Sequence, residues 1–127
     1  MEALYHQSSL KLGISDSVSI VLYTIYDMGE DCLLSTVYKK SGISKQTINS
    51  AIRGLEAEKI LYLEQYAGRT KKIVLTEKGK HFVKKTVAKL YEAEMNALDT
   101  WSPEEISTYI SLMEKYADCF HQQIEKL

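Results

Sequence analysis

The chain has 127 residues, 45% of them apolar, which is the size of one domain and leaves no room for a second full catalytic domain. Its formal net charge of −1 argues, taken alone, against a strongly basic nucleic-acid binder, and its two cysteines, Cys32 and Cys119, are too few and too far apart for a disulfide framework or a zinc cluster. No apolar run is long enough to span a membrane and the opening MEALYHQSSLK lacks the apolar core of a signal peptide, so a cytoplasmic protein with no membrane partner is expected.

One proline, six glycines and the absence of repeats or Pro/Gly/Ser-rich linkers mean that the elements pack directly on one another. A first helix is predicted near residues 2–12, with Leu4 and apolar partners at loose helical spacing, ending at Gly13. The next begins after Ser15, whose hydroxyl can cap a helix start, and runs to Gly29 with Val18, Val21, Leu22, Ile25 and Tyr26 on one stripe. Leu33, Leu34, Val37 and Tyr38 then form a short helical face that stops at Ser41-Gly42, where glycine can take the left-handed conformation.

Ser44 reads as the cap of a helix over 45–58. Ile48, Ala51, Ile52 and Leu55 fall in one arc at 100° per residue and are therefore buried. Half a turn away lie Gln46, Ser50 and Arg53, flanked by Thr47 and Asn49. Two helices joined by a short turn containing glycine make a helix-turn-helix, whose second helix can enter a major groove. Gln and Asn can pair two-pronged with adenine, and Arg with guanine or phosphate. The competing interpretation is a plain helical hairpin with a polar solvent face, although such a face is more often dominated by Glu and Lys.

Residues 60–66 and 71–76 read as two strands around Ala67-Gly68-Arg69-Thr70, with Leu61, Leu63, Ile73 and Leu75 sharing the core-facing alternation. The tip carries Arg69, Lys71 and Lys72 with no compensating acid. A basic hairpin tip beside a helix-turn-helix suits a DNA-binding wing; lysines guarding an exposed strand edge are the alternative. Thr76 then caps a long helix over about 77–98, in which Phe82, Val83, Val87, Leu90, Tyr91, Met95 and Leu98 recur at helical spacing. Ser102, Pro103 and Glu105 form a capping box that opens a last helix over 103–126, with Ile106, Tyr109, Ile110, Met113, Tyr116, Ala117, Phe120 and Ile124 on its apolar face. These two helices carry more apolar surface than a small winged helix can cover, and a second copy of the chain is the simplest cover.

The expected fold is mainly α with a small β-hairpin wing: one domain over 1–127, with a winged helix-turn-helix at about 14–80 and dimerisation helices at about 1–12 and 81–127. Charge follows the same division. Residues 1–38 hold one basic and five acidic side chains, residues 39–89 thirteen and four, and residues 90–127 two and eight, giving −4, +9 and −6. Phosphate binding needs clustered Lys and Arg and not a high overall pI, although a solvated lysine-rich surface would count the same.

Residues 14–90, with their flanking helices, resemble the MarR family of bacterial winged-helix regulators. The resemblance is strongest over residues 34–48, LSTVYKKSGISKQTI, continues through Ile52, Leu55, Glu56 and Glu58-Lys59-Ile60, and returns in Leu75-Thr76-Glu77-Lys78-Gly79 at the junction from wing to long helix. It implies a homodimeric repressor of transcription that places two recognition helices in successive major grooves of a pseudo-palindromic operator in double-stranded DNA. Ser44, Lys45, Gln46, Thr47, Asn49, Ser50 and Arg53 would then belong to the recognition helix and Arg69 to the wing position that reaches the minor groove, with Lys71 and Lys72 beside it as further DNA-binding residues. Four features depart from the family: Ala67 stands where an Asp often braces the wing arginine, the wing is short, Tyr38 replaces a small Ala between the two helices of the motif, and the first helix is short, which would shrink the dimer interface on that side. An adaptor that uses the same fold to bind protein and does not read DNA is the alternative function.

No catalytic grouping emerges, so neither an enzyme nor a cofactor is expected. His6, His81 and His121 are isolated and no zinc spacing is present. Some MarR-like proteins sense peroxide through a thiol in the first helix, which holds no cysteine here. Cys32 lies beside Glu30 and Asp31, whose charge disfavours a thiolate, and Cys119 lies near Asp118. Family members also bind small aromatic or anionic effectors, for which Tyr5, Tyr23, Tyr26 and Tyr91 are candidates; tyrosines bordering a core with wet edges would look the same.

Overall fold

The computed structural model describes residues 1–127, which separate into two compact units, Met1–Glu92 and Ala93–Leu127. The first holds α1 (Glu2–Leu12), α2 (Asp16–Met28), α3 (Leu34–Lys40), α4 (Lys45–Ala57), β1 (Leu61–Ala67), β2 (Thr70–Leu75) and α5 (Glu77–Lys85). Helix α6 (Val87–Asn96) contains the boundary, and α7 (Pro103–Ile124) lies in the second unit.

Side-chain caps begin the helices where the sequence places Ser and Thr. Ser15 Oγ accepts from Val18 N–H, Ser44 Oγ from Thr47 N–H and Thr76 Oγ1 from Gly79 N–H, each satisfying a donor that a helix start leaves open. The core of the first unit is built from Val21, Leu22 and Ile25 of α2, Val37 of α3, and Ile48, Ala51, Ile52 and Leu55 of α4. Ile60, Leu61, Ile73, Val83 and Val87 close it. Tyr26, placed by periodicity on the α2 stripe, is instead exposed.

The strands pair antiparallel, with Leu61 opposite Leu75 and Leu63 opposite Ile73, so both residues of each pair lean on the core side as the alternation requires. A rung from a third segment was not foreseen. Leu33 bridges to Lys72, and Ile73 N–H donates to Cys32 O at 2.9 Å, tying the segment before α3 to the wing. At the wing root, Thr76 N–H donates to Ile60 O at 3.0 Å and Thr76 Oγ1–H to Lys59 O at 2.6 Å. Helix α5 approaches so closely there that a Cβ on Gly79 would lie 1.9 Å from Ile60 O. Gly79 is therefore required by a backbone contact.

The single helix expected over about 77–98 is two helices. Thr86, buried, leaves helical geometry at φ −120°, ψ −97°, and its Oγ1–H donates to Phe82 O at 2.8 Å. A threonine that bonds back to the preceding turn competes with the backbone ladder, whereas the apolar periodicity passes through the break unchanged.

In the second unit, Ser102 and Glu105 form the expected capping box, with Ser102 Oγ accepting from Glu105 N–H at 3.1 Å and Glu105 Oε1 from Ser102 N–H at 2.9 Å. Trp101 packs edge-on to Tyr109 with ring centroids 5.4 Å apart. No residue of α7 is buried within the chain. No helix is long and apolar enough to cross a membrane.

Candidate nucleic-acid interface

Helix α4 divides into three strips. Its buried strip is Ile48, Ala51, Ile52 and Leu55, and its outermost ridge is Gln46, Ser50 and Arg53, all exposed. Arg53 Nη2–H reaches Ser50 Oγ at 3.4 Å, a contact long enough to exchange for a phosphate or base. Ser44 and Thr47 stand together at the helix start, their hydroxyls 2.9 Å apart. From Lys45 to Leu55 there is no acidic residue, and the open N–H groups of the first turn add a partial positive charge.

The third strip faces α3 and holds Lys45 and Asn49. Tyr38, the departure noted between the two helices, bridges them: its hydroxyl donates to Asn49 Oδ1 at 2.5 Å, and Lys45 Nζ lies 5.1 Å from its ring centroid. Asn49 is half-buried and its carbonyl is already engaged. This contact spans eleven positions of sequence and depends on how the helices cross, which no local pattern reports.

The wing sorts its three cations. Arg69 at the tip and Lys71 beside it are exposed and enter none of the chain's ion pairs; Gln65 Nε2–H donates to Gly68 O across the turn. Lys72 corrects the expectation of an acid-free basic tip. Its Nζ donates to Asp31 Oδ1 at 3.1 Å, with its side chain 24% exposed, and that hydrogen bond, then the carboxylate's charge, raises its pKa above the usual lysine value. Asp31 is 41 positions away and reaches Lys72 because of the Leu33–Lys72 rung.

The effector candidates are partly assembled. Tyr91 packs against Tyr26 edge-on at 5.7 Å and against Tyr23 at 6.4 Å; Tyr5 stands half-exposed on α1. Cys32 is 3% exposed, and burial pushes its thiol pKa up, a larger effect than the neighbouring acids invoked from sequence. Cys119 is an exposed thiol on α7. No group of three or more His, Cys, Asp or Glu is placed to hold a metal ion.

No family model and no curated protein matches the chain. Solved structures do. A MarR-family regulator from Neisseria meningitidis, NMB1585, is similar with a TM-score of 0.84 at 16% identity, covering 98% of this chain and 88% of that one. MepR from S. aureus in its DNA-binding conformation gives 0.81 at 21% identity over 94% and 91%. Bordetella bronchiseptica BpsR, described for regulation of its DNA binding by 6-hydroxynicotinic acid, gives 0.66 at 23% identity over 91% and 88%. The fold is thus the winged helix-turn-helix of MarR-family regulators.

Proposed function

We propose that the chain is a MarR-family transcriptional regulator that binds double-stranded DNA as a homodimer and represses from a pseudo-palindromic operator. The observation that carries this reading is the exposed, acid-free ridge of α4, with Gln46, Ser50 and Arg53 outermost, on a fold shared with a regulator solved in its DNA-binding conformation. Inserted in a major groove, Gln46 offers both a donor and an acceptor to adenine, and Arg53 offers a fork to guanine or phosphate. Arg69 enters the adjoining minor groove, and Lys71 follows the phosphates. Lys72 ties the wing to the segment before α3 through Asp31.

Dimerisation supplies the second half-site. Helix α7 exposes Tyr109, Ile110, Met113, Tyr116, Phe120 and Ile124 at spacings of three and four, an apolar stripe that one copy leaves in water. Pairing that stripe with a second copy would give two α4 helices, one for each half-site of an operator whose half-sites lie roughly 34 Å, one helical turn of DNA, apart. A small aromatic effector stacking on Tyr23, Tyr26 and Tyr91 would bias that separation and so the affinity. Reading a chromosome places the protein in the cytoplasm, and no catalytic step is needed.

Selection from a random duplex pool tests the reading, with a palindrome as the expected product. Arg53→Ala and Arg69→Ala should each weaken binding to that palindrome and reduce its salt dependence by about one phosphate contact per site. Unchanged affinity across several salt concentrations would refute the assignment of these two residues.

A further inference from the structure

Tyr38 engages the proposed reading helix at two points, Asn49 and Lys45, one turn apart on the same strip. Adenine in the major groove presents an acceptor, N7, beside a donor, N6–H, so an asparagine reads it only by offering its NH2 and its carbonyl side by side. The side-chain amide is planar. Turning Oδ1 toward α3 to accept from the Tyr38 hydroxyl leaves the NH2 as its outward edge. An NH2 alone can donate to N7 of either purine, O6 of guanine or O4 of thymine; it meets only a donor on cytosine, and it loses the second hydrogen bond, from adenine N6–H, that singles adenine out.

We propose that Tyr38 is a specificity-positioning residue: by holding Asn49 Oδ1 it makes Asn49 a donor-only contact that accepts guanine or thymine as well as adenine and forgoes the two-pronged preference for adenine at one position of each half-site. The inference rests on the reading of α4 as a DNA-recognition helix. Tyr38 touches no base itself. Its hydroxyl fixes the amide, and its ring keeps Lys45 alongside on the same strip, where the cation can meet the neighbouring phosphate.

The test is selection from a random duplex pool with four proteins: wild type, Asn49→Ala, Tyr38→Phe, and the double variant. Asn49→Ala identifies the position by flattening its base preference. Tyr38→Phe keeps the ring and removes the hydroxyl, freeing Oδ1, so adenine should rise about tenfold at that position. In the double variant this gain should vanish, a coupling that general loosening of the two helices would not produce. Tyr38→Leu, which also lacks the hydroxyl, should reproduce the gain if the phenylalanine variant folds poorly. The proposal is overturned if Tyr38→Phe and wild type select the same base, if the adenine gain persists without Asn49, or if Asn49→Ala flattens no position. A wild-type protein that enriches no sequence at all would overturn the DNA-binding reading as well, which separates the two failures.

Discussion

Replacing Gly79 by alanine isolates the contact between α5 and the wing root. Added to the backbone, a Cβ would lie 1.9 Å from Ile60 O and 2.9 Å from its carbonyl carbon, whereas real Cβ atoms essentially never come under 3.0 Å. The partner is backbone, so no rotamer change relieves it; α5 must withdraw or the Ile60 carbonyl must turn. Overpacking of this kind costs up to about 3 kcal/mol. Turning the carbonyl also strains its bond from Thr76 N–H, worth about 1 kcal/mol. Alanine's better helix propensity returns about 1 kcal/mol, leaving a net loss of about 3 kcal/mol. For a chain of this length that lowers the thermal midpoint by roughly 10 °C, measured by circular dichroism at fixed concentration. A midpoint equal to or above the wild type would mean that helix propensity, and not the close approach, decides this position.

Ile110→Glu places a charge on the exposed stripe of α7 and should convert the proposed dimer to a monomer in light scattering coupled to size exclusion; a variant that stays dimeric would exclude that face from the interface. Alkylation of the native protein should modify Cys119 and spare Cys32, whose thiol is buried and held in its neutral form, with both reacting after denaturation; rapid native labelling of Cys32 would contradict its burial. Asp16 is held below the usual aspartate range by its hydrogen bond to His6, at 2.8 Å, so it contributes stability above the ordinary aspartate pKa that is lost as pH falls through the lowered value. Asp16→Asn should flatten the acid limb of the urea midpoint against pH, and an unaltered limb would assign it to other carboxylates.

Signals confined to one or two turns were legible in the sequence. Ser15, Ser44, Thr76 and Ser102 each cap the helix they precede, because capping needs only a short polar side chain and the N–H two or three residues on. The core-facing residues of the wing followed from alternation alone. What escaped were contacts set by the way elements cross. Tyr38 could be seen to depart from the family pattern, but its hydroxyl on Asn49 is a property of the angle between α3 and α4. Gly79 was recognised as part of a junction motif, while the reason for a glycine there is a carbonyl nineteen positions earlier. The Leu33–Lys72 rung is one residue wide and leaves no periodicity. Thr86 ends a helix by bonding to its own preceding turn without disturbing the apolar spacing that was read as continuous.

The segment charge needs the same correction, and it yields a number. The +9 of residues 39–89 counts every cation alike, yet several are turned to internal partners: Lys72 to Asp31, Lys80 to Glu77, and Lys78 to Glu58 O. Within the proposed interface the exposed cations are Lys45, Arg53, Arg69 and Lys71. A dimer then brings about eight of them to phosphate, and counterion release gives a slope of log affinity against log salt of about −7. If all of the segment's net charge acted at the interface, the dimer's slope would be about −16. Fluorescence anisotropy on the selected palindrome over a series of salt concentrations separates the two. A slope steeper than about −12 would mean that the internally tied lysines are released to the DNA, and one shallower than about −3 would mean that the ridge and wing do not bear on the backbone.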